Sequence, residues 1–440
     1  MRISPTDENS SKGSTPLTQP RIVTFGCRTN KFESELIRQY ATAASLSEST
    51  IIVNTCAVTN EAERQARQAI RRLKRAQPDV RIVVTGCAAH LQPESFTAMP
   101  EVSLVLNNTE KLLAANWMRL GKKIQSAKEV PWKKESHSTK PLLAEFSERT
   151  RAFLPVQYGC NHRCTFCTIP FARGPSRSLP PTQVVDQALA LSAVGYREFV
   201  LTGIDLTAYG LDLSADDKHT CFYGVSSLIK KLFREVPGLE RLRLSSIDPS
   251  EIDEELFLLF CTERRLMPHM HLSIQAGDDM ILKRMGRRHC RAEAIQVARR
   301  LRTVRPEVTL GADIIVGFPT ETEEMFTHTL DLVEECGLTH LHIFPFSARP
   351  GTAAARIPAV SRAVVRERAA RLRAVATKSL TRFLVGRVGT VASVLLEKPD
   401  FGYSEQYLPV RLTSSAKPGR IVSVRLLASN TTHLYGAILS

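Results

Sequence analysis

The sequence predicts an α/β protein with an N-terminal βαβ parallel-sheet domain, a central complete or partial (β/α) barrel, and a small C-terminal β-barrel. Two observations lead to this prediction. Short apolar runs alternate with amphipathic segments from about residue 20 to 360, as they do where crossover helices connect parallel strands. After residue 386 the pattern changes to short alternating segments that are broken by Gly and Pro, which is typical of a small all-β module.

The first alternation predicts three strands separated by two helices, at 21–25, 31–44, 51–54, 61–76 and 81–85. Periodicity is then lost over residues 121–150, which indicates a linker. The second alternation contains five predicted strands, at 199–201, 241–244, 271–274, 310–316 and 340–344. Segments such as 181–193 and 291–305 lie between these strands. They are predicted to be helices, because their apolar residues recur at helical spacing. In such a barrel, active residues lie at the carboxyl ends of the strands.

The last part begins after a basic helix at 360–378 and contains three predicted strands, at 390–396, 407–412 and 421–427. From 377 to 440 there are eight Lys and Arg against three Asp and Glu, so the surplus is 8 − 3 = 5 positive charges. A small basic barrel of this kind is typical of a nucleic-acid-binding module. The domain boundaries that these patterns predict are a disordered tail at 1–19, a first domain at 20–125, a linker at 126–145, a core domain at 146–376, and the barrel at 377–440.

The whole chain is basic, with 59 Lys and Arg against 44 Asp and Glu and a formal net charge of +15, which favours a polyanionic partner such as nucleic acid. No window approaches the roughly 18 uninterrupted apolar residues of a membrane span, so no membrane association is expected. The first 20 residues lack an apolar signal core, and we therefore expect a cytoplasmic protein. In a reducing compartment the ten cysteines are expected to be metal ligands, reactive thiols or core residues rather than disulfides.

The most specific motif is a C-x3-C-x2-C run formed by Cys160, Cys164 and Cys167. Three thiolates within eight residues can surround one metal centre. A structural zinc ion would need a fourth ligand, for which His162 and Cys221 are the candidates. An iron–sulfur cluster is favoured by the local spacing, and three ligands on a four-iron cluster would leave one iron open for a substrate.

A second set of cysteines is dispersed, since Cys27, Cys56 and Cys87 each follow a predicted strand. The gaps are 56 − 27 = 29 and 87 − 56 = 31 residues, close to one βαβ repeat, so all three should lie at the same edge of one sheet. Each could be only a small buried apolar residue. Three in register favour a second three-cysteine cluster. The remaining cysteines stand singly and are expected to be core or surface thiols: Cys221, Cys261, Cys290 and Cys336.

Further motifs accompany the cysteines. They are Gly-Cys-Arg-Thr-Asn at 26–30, Asn-Thr-Cys-Ala-Val-Thr at 54–59, Val-Thr-Gly-Cys at 84–87, Ile-Pro-Phe-Ala-Arg-Gly at 169–174, Arg-Leu-Arg-Leu-Ser-Ser at 241–246, His-Leu-Ser-Ile-Gln-Ala-Gly at 271–277, Leu-Lys-Arg-Met at 282–285, Asp-Ile-Ile-Val-Gly-Phe-Pro at 313–319, Gly-Tyr at 402–403 and Tyr-Leu-Pro-Val at 407–410. In this order they resemble the radical S-adenosylmethionine methylthiotransferases. The resemblance is strongest to the branch that acts on N6-threonylcarbamoyladenosine in tRNA. Departures from the family pattern are Thr168, Thr320 in place of a Gly, and Pro175-Ser176.

The resemblance implies an enzyme with a central radical S-adenosylmethionine barrel and a C-terminal TRAM-like RNA-binding barrel. It implies two [4Fe-4S] clusters and S-adenosylmethionine as cofactors, with a methylthio group added to carbon 2 of N6-threonylcarbamoyladenosine at position 37 of the tRNA anticodon loop. The cluster on Cys160, Cys164 and Cys167 would bind and reductively cleave S-adenosylmethionine. The cluster on Cys27, Cys56 and Cys87 would hold the sulfur to be transferred. An electron donor such as flavodoxin or ferredoxin is expected as a second partner.

The resemblance also implies a cofactor pocket lined by Gly203, Asp205, Ser246, Gln275 and Asp313. The first four of these lie at predicted carboxyl edges of core strands. No residue is expected to act as a catalytic acid or base, since the hydrogen on carbon 2 of adenine is too weakly acidic.

Other substrates and functions remain open at this stage. Within the family the alternatives are isopentenyl-adenosine in tRNA and an aspartate of a ribosomal protein. Outside it they are a non-catalytic iron–sulfur electron carrier and a zinc-containing RNA-binding scaffold.

Overall fold

The computed structural model describes residues 20–121, 143–144, 146, 150–213 and 224–439. The predicted tail, most of the predicted linker and Cys221 lie outside the described residues. The chain divides into two compact units. The first consists of the chain up to Ser147 with Gly159–His162 and Cys167–Pro175, and the second of Glu148–Tyr158, Arg163–Phe166 and Ser176–Ser440.

The first unit is a parallel four-stranded sheet in the order β1-β2-β3-β4 with its helices. Its elements are β1 (Arg21–Thr24), α1 (Arg28–Ala43), β2 (Thr50–Thr55), α2 (Asn60–Ala76), β3 (Arg81–Gly86), α3 (Cys87–Leu91), α4 (Pro93–Thr97), β4 (Leu104–Val105) and α5 (Ala114–Gly121). The apolar strands are buried on both faces, as parallel sheets require. Thr59 caps α2 by accepting a hydrogen bond from the Ala62 N–H at 3.1 Å. The predicted βαβ sheet is confirmed.

The core of the second unit contains six long parallel strands. The elements of this part of the chain are β5 (Arg151–Pro155), β6 (Gln157–Tyr158), α6 (Ile169–Arg173), β7 (Arg177–Ser178), α7 (Pro181–Ala193), β8 (Glu198–Thr202), α8 (Val225–Glu235), β9 (Arg241–Leu244), α9 (Glu254–Thr262), β10 (His269–Gln275), α10 (Asp279–Met285), α11 (Arg291–Val304), β11 (Thr309–Val316), α12 (Glu323–Glu335), β12 (His340–Pro345) and α13 (Arg362–Val385). Helix α6 is grouped with the first unit.

The six strands form two parallel sheets, β5-β8-β9 and β10-β11-β12. Isolated parallel bridges pair Leu242 of β9 with Leu266, which precedes β10, and Ile247, which follows β9, with Leu272 of β10. The arrangement confirms the predicted partial (β/α) barrel. In the described residues, we find no helix with both the length and the apolar composition that crossing a bilayer would require.

The C-terminal part is a closed five-stranded barrel in the order β13-β14-β15-β17-β16. Its strands are β13 (Val391–Lys398), β14 (Phe401–Ser404), β15 (Pro409–Leu412), β16 (Ile421–Ser429) and β17 (Leu434–Ile438). Its apolar interior includes Val394, Val410 and Val424, and Leu384 of α13 packs into the same core. The predicted small β-barrel is confirmed, although it contains two strands, β14 and β17, that the alternating pattern did not predict.

This barrel contacts the amino ends of the core strands within the second unit. Glu198, at the start of β8, is fully buried and accepts a hydrogen bond from Arg243 at 2.8 Å. The Arg243 guanidinium also donates to the backbone carbonyls of Ser404 and Glu405, each at 2.8 Å. The Tyr407 ring lies under this guanidinium, with its centroid 5.0 Å from the central carbon of Arg243. The turn between β14 and β15 is therefore part of the buried base of the core.

Candidate metal and cofactor site

The three dispersed cysteines lie at the carboxyl edge of the first sheet, as predicted. Cys27 immediately precedes α1, Cys56 follows the last residue of β2, and Cys87 is the first residue of α3 directly after β3. Burial raises the pKa of the Cys56 thiol to about 12, and the neighbouring Cys27 and Cys87 act in the same direction. Cys27 and Cys87 therefore both lie near Cys56, and we call these three residues the N-terminal thiol triad.

Two glycines permit the close approach of the triad. Gly26 has φ +97°, and a Cβ atom at this position would lie 2.7 Å from the Cys56 sulfur. Gly86 has φ +100°, and its Cβ would lie 2.3 Å from the Thr55 carbonyl oxygen. Any larger residue would be strained in this left-handed conformation and would also collide with the neighbouring strand end.

The donor set of the N-terminal thiol triad fits an iron–sulfur cluster. Among the described residues, the three sulfur atoms of the triad do not all lie within 4.8 Å of one another. A single zinc ion needs zinc–sulfur distances of about 2.3 Å, so its sulfur ligands cannot be more than about 4.6 Å apart. Because at least one pair of the triad's sulfur atoms is farther apart than this, the triad fits a larger inorganic core better than a single zinc ion.

A buried ion network lies beside the triad and was not predicted from the sequence. The Glu33 carboxylate accepts hydrogen bonds from the Arg173 guanidinium at 2.8 and 3.0 Å and from the Lys111 ammonium at 2.7 Å. All three side chains are at most 3% exposed. Burial acts to raise the pKa of Glu33, but Arg173 and Lys111 outweigh it and hold the pKa at about 2.

The C-x3-C-x2-C loop presents its sulfur atoms to hydrogen-bond donors. The Cys160 sulfur accepts from the His162 N–H, and the Cys167 sulfur from the Ile169 N–H, each at 3.4 Å. Such N–H donors stabilise thiolate and cluster-bound sulfur. The three thiols of this loop are therefore also suited to an iron–sulfur cluster.

The third sulfur of that loop, on Cys164, lies 3.8 Å from a guanidinium nitrogen of Arg287 in the second unit. Arg287 also donates to the Asp248 carboxylate at 2.7 Å and to the Ser273 carbonyl at 2.6 Å. Burial acts to raise the pKa of Asp248, but His289 and Arg287 together hold it well below its ordinary value. Arg287 was not predicted, although it lies two residues after the Leu-Lys-Arg-Met motif at 282–285.

The predicted pocket residues Gly203 and Asp205 lie in a turn that directly follows β8. The side-chain carbonyl of Gln157 accepts hydrogen bonds from the Ile204 and Asp205 N–H groups, each at 2.9 Å. Gln157 is fully buried and so fixes the backbone of this turn. Its role was not predicted, because nothing in the local sequence indicates a partner 47 residues away.

Ser246 and Gln275 lie at the carboxyl ends of β9 and β10, and both are partly exposed. It is the preceding residue, Ser245, whose hydroxyl accepts a hydrogen bond from the Gly203 N–H at 3.3 Å. Gln275 has φ +74°, and the pairing of β10 with β11 shifts register there. A non-glycine residue in this conformation at a strand end is often a sign of a functional constraint.

Asp313 is in the middle of β11 rather than at its end. Its carboxylate lies 3.0 Å from His271 Nε2 and 3.1 Å from His342 Nδ1, on the neighbouring strands β10 and β12. Burial acts to raise the pKa of Asp313, but the two histidines outweigh this effect and lower it well below its ordinary value. The structure thus gives Asp313 two histidine partners in the middle of its strand, whereas the other four predicted pocket residues lie at or just after strand ends.

Two family models match the chain. One is described as the radical SAM superfamily and matches residues 154–333. The other is described as uncharacterized protein family UPF0004 and matches residues 19–107. The first range contains the C-x3-C-x2-C run, and the second contains the whole N-terminal thiol triad.

Similar curated proteins extend over nearly the entire chain. Threonylcarbamoyladenosine tRNA methylthiotransferase MtaB of Rickettsia prowazekii is 46% identical over 92% of this chain and 94% of its own length. The protein of the same name from Aquifex aeolicus is 34% identical over 91% of this chain and 98% of its own length. The tRNA-2-methylthio-N(6)-dimethylallyladenosine synthase of Ruegeria pomeroyi is 32% identical over 95% and 98% of the two chains.

Among solved structures, the radical S-adenosylmethionine methyltransferase TsrM from Kitasatospora setae aligns with a TM-score of 0.51. The alignment covers 74% of this chain and 69% of that protein, at 17% sequence identity. This likeness extends to the fold alone.

Proposed function

Because the chain belongs to the radical S-adenosylmethionine methylthiotransferase family, we propose that it adds a methylthio group to carbon 2 of N6-threonylcarbamoyladenosine in tRNA. The observation that carries this proposal is 46% identity over 92% of the chain to a relative named for that reaction. The relative named for dimethylallyladenosine is more distant, at 32%. The family's cofactors are S-adenosylmethionine and [4Fe-4S] clusters.

We assign one cluster to the C-x3-C-x2-C loop and one to the N-terminal thiol triad. The ligands are Cys160, Cys164 and Cys167 for the first and Cys27, Cys56 and Cys87 for the second. The N–H donors to Cys160 and Cys167 and the position of Cys27, Cys56 and Cys87 at three adjacent strand ends support the assignment. In the apo chain a thiol with a pKa of about 12 is protonated at neutral pH, so cluster binding must displace its proton.

We assign the cofactor pocket to Gly203, Asp205, Ser246, Gln275 and Asp313. The Gly203–Asp205 turn is held by Gln157, and Gln275 adopts its unusual backbone conformation at a strand end. When bound, S-adenosylmethionine and a reduced cluster supply the one-electron chemistry that removes an unactivated hydrogen. The chain's own residues bind and orient these groups, and we assign no protein acid or base.

The finer features of the proposal concern the partners and the domains. The modified nucleoside is adenosine 37 of the anticodon loop, the electron donor is of the flavodoxin or ferredoxin class, and the protein acts in the cytoplasm. The domain boundaries are those predicted from the sequence. The basic surplus of the C-terminal barrel supports a contact of this barrel with tRNA phosphates.

The test is an assay of anaerobically reconstituted protein with dithionite and two tRNA substrates, one bearing N6-threonylcarbamoyladenosine and one bearing isopentenyl-adenosine. We expect about eight irons per chain, formation of 5′-deoxyadenosine, and a 2-methylthio product by mass spectrometry from the first tRNA only. A product from the second tRNA alone would overturn the substrate assignment. Absence of 5′-deoxyadenosine would overturn the enzyme assignment.

Two cysteine variants separate the roles of the clusters. Cys164→Ala should abolish cleavage of S-adenosylmethionine, whereas Cys56→Ala should retain cleavage and lose the methylthio product. Cys261→Ala is the matched control, because Cys261 belongs to neither triad and should keep both activities. A methylthio product from Cys56→Ala would contradict the proposed division of roles.

A further inference from the structure

The ion network beside the N-terminal thiol triad carries an excess of positive charge. One carboxylate, Glu33, contacts two cations, Arg173 and Lys111, and water has little access to any of them. The network therefore has a formal charge of +1 in an environment of low dielectric, where a charge acts more strongly on its neighbours than in water.

Of the two cations, Arg173 is the one on a segment packed against the thiols, since the preceding residue, Ala172, is buried in the same apolar cluster as Cys56 and Cys87. Lys111 contacts Glu33 and, at 3.4 Å, the Asn54 side chain. The Arg173 guanidinium, by contrast, interacts electrostatically with both Cys87 and Cys27. It is held toward them by two bonds to Glu33 and by the Asn30 side-chain oxygen at 2.6 Å.

Asn30 also fixes the two loops that carry thiols. Its amide nitrogen donates to the Phe25 carbonyl at 2.8 Å, two residues before Cys27, and to the Thr55 carbonyl at 3.0 Å, directly before Cys56. One side chain thus sets the position of Arg173 and of two triad loops together.

A second N–H donor contacts the triad. The Asn108 side-chain amide lies 3.7 Å from the Cys87 sulfur and donates to the Ala172 carbonyl at 2.8 Å. Ala172 is fully buried in the same apolar cluster as Cys56 and Cys87. The segment that carries Arg173 is thereby packed against the triad.

We propose that Arg173, together with Asn108, is a positioning residue that stabilises the reduced state of the iron–sulfur cluster held by Cys27, Cys56 and Cys87. One-electron reduction makes such a cluster more negative by one charge, so an adjacent buried cation and an N–H donor to a ligand sulfur raise its reduction potential. The electron comes from the external reductant, and no covalent bond forms or breaks. The inference rests on the proposed function in that it takes these three cysteines as cluster ligands.

The test is a redox titration of the full chain in which Cys160, Cys164 and Cys167 are replaced by Ala, so that one cluster remains to be observed by electron paramagnetic resonance. In this background Arg173→Gln should lower the equilibrium constant for reduction about tenfold, equivalent to about 59 mV for a one-electron couple. The variant keeps Glu33 paired with Lys111, so no charge is left buried without a partner.

Lys111→Met is the matched control, because it removes the same charge from the same carboxylate and leaves the Glu33–Arg173 pair intact. We expect a change of less than about threefold, since Lys111 contacts Glu33 and Asn54 rather than a thiol. Arg173→Lys keeps the charge and should also remain within about threefold. Equal decreases in Arg173→Gln and Lys111→Met would show a general charge effect and would overturn the role of Arg173.

Asn108→Leu keeps the test decisive if Arg173→Gln does not fold. It removes the donor to Cys87 without changing any charge, and the equilibrium constant should decrease by about threefold. An unchanged potential in either Arg173→Gln or Asn108→Leu would overturn the inference. Failure of the background variant to bind about four irons per chain would instead overturn the ligand assignment of the proposed function itself.

Discussion

Glu33 in the first unit and Glu198 in the second are both fully buried carboxylates whose cationic neighbours lower the pKa from 4.5 to about 2, against the opposing effect of burial. Their surroundings differ. Glu33 holds Arg173 beside the N-terminal thiol triad, whereas Glu198 lies among three arginines that contact the C-terminal barrel. The same electrostatic arrangement therefore holds a cation beside three thiols in one unit and joins a folded module to the core in the other.

The largest expected effect is the loss of Glu198. Glu198→Gln would leave Arg151, Arg241 and Arg243 buried without their common carboxylate, which should reduce the free energy of unfolding by about 3–5 kcal/mol. Urea denaturation measures the change. The surface substitution Glu235→Gln is the control and should leave the free energy of unfolding nearly unchanged, because its ion pairs are exposed to solvent. A loss below about 1 kcal/mol for Glu198→Gln would contradict a structural role for this network.

The two carboxylates should also produce a steep dependence of stability on acid pH. Because the folded-state pKa of each is about 2 and the ordinary value is 4.5, their contribution is complete above pH 4.5 and is lost as the pH falls toward 2. The shift corresponds to about 3 kcal/mol for each carboxylate.

Tryptophan fluorescence can report the unfolding of the first unit separately in this experiment. The chain has two tryptophans, so Trp132→Phe leaves Trp117, which donates to the Lys111 carbonyl at 2.8 Å. Glu33→Gln should flatten the acid dependence of the Trp117 signal. An acid transition that is unchanged in this variant would show that other carboxylates control it.

A smaller effect is expected at the barrel side of the second network. The Tyr407 ring stacks on Tyr403 with centroids 4.8 Å apart and lies 4.9 Å from the Arg151 guanidinium. Tyr407→Ala should cost about 2 kcal/mol and increase amide exchange around residues 404–408. Tyr407→Phe keeps the ring and should stay within about 0.5 kcal/mol. Equal exchange in both variants would show that the ring does not fasten the barrel.

The smallest expected effect is at Thr320, which belongs to neither buried ion network and therefore provides a reference for both. Thr320, one of the departures from the family pattern noted in the sequence, has φ +71°. Thr320→Gly should raise the free energy of unfolding by roughly 0.5–1 kcal/mol, because relief of the left-handed strain exceeds the entropy cost of glycine. Thr320→Ala keeps the strain and should give no gain. A loss of stability in Thr320→Gly would show that the 2.6 Å bond from Arg284 matters more.

The repeating features of the fold could be predicted from the sequence. Strands β1 to β3 follow from buried apolar runs, and the spacing of Cys27, Cys56 and Cys87 placed them at one sheet edge because the βαβ repeat has a nearly constant length. Short or irregular elements such as β4 and β14 do not carry enough residues to show a period, and they were missed.

Long-range pairing could not be predicted. The contact of Arg173 with Glu33 spans 140 residues, and that of Arg243 with the Ser404 carbonyl spans 161. From the sequence alone, a charged residue within a motif is interpreted as a surface residue or a ligand-binding residue. Only the structure shows that its partner is a buried residue of opposite charge or a backbone carbonyl. The resemblance identified Tyr403 and Tyr407 as motif residues of the C-terminal barrel, but it did not indicate that both rings pack against the Arg151 guanidinium.

The docking of the turn between β14 and β15 has a practical consequence for anyone who shortens this protein. Cutting the chain before β13 would expose Arg241, Arg243 and Glu198 to solvent and remove the carbonyl acceptors of Ser404 and Glu405. Loss of activity in such a truncated chain would therefore reflect disruption of the buried base of the core. Point substitutions on the outward face of the intact barrel test whether it binds RNA without disrupting the core.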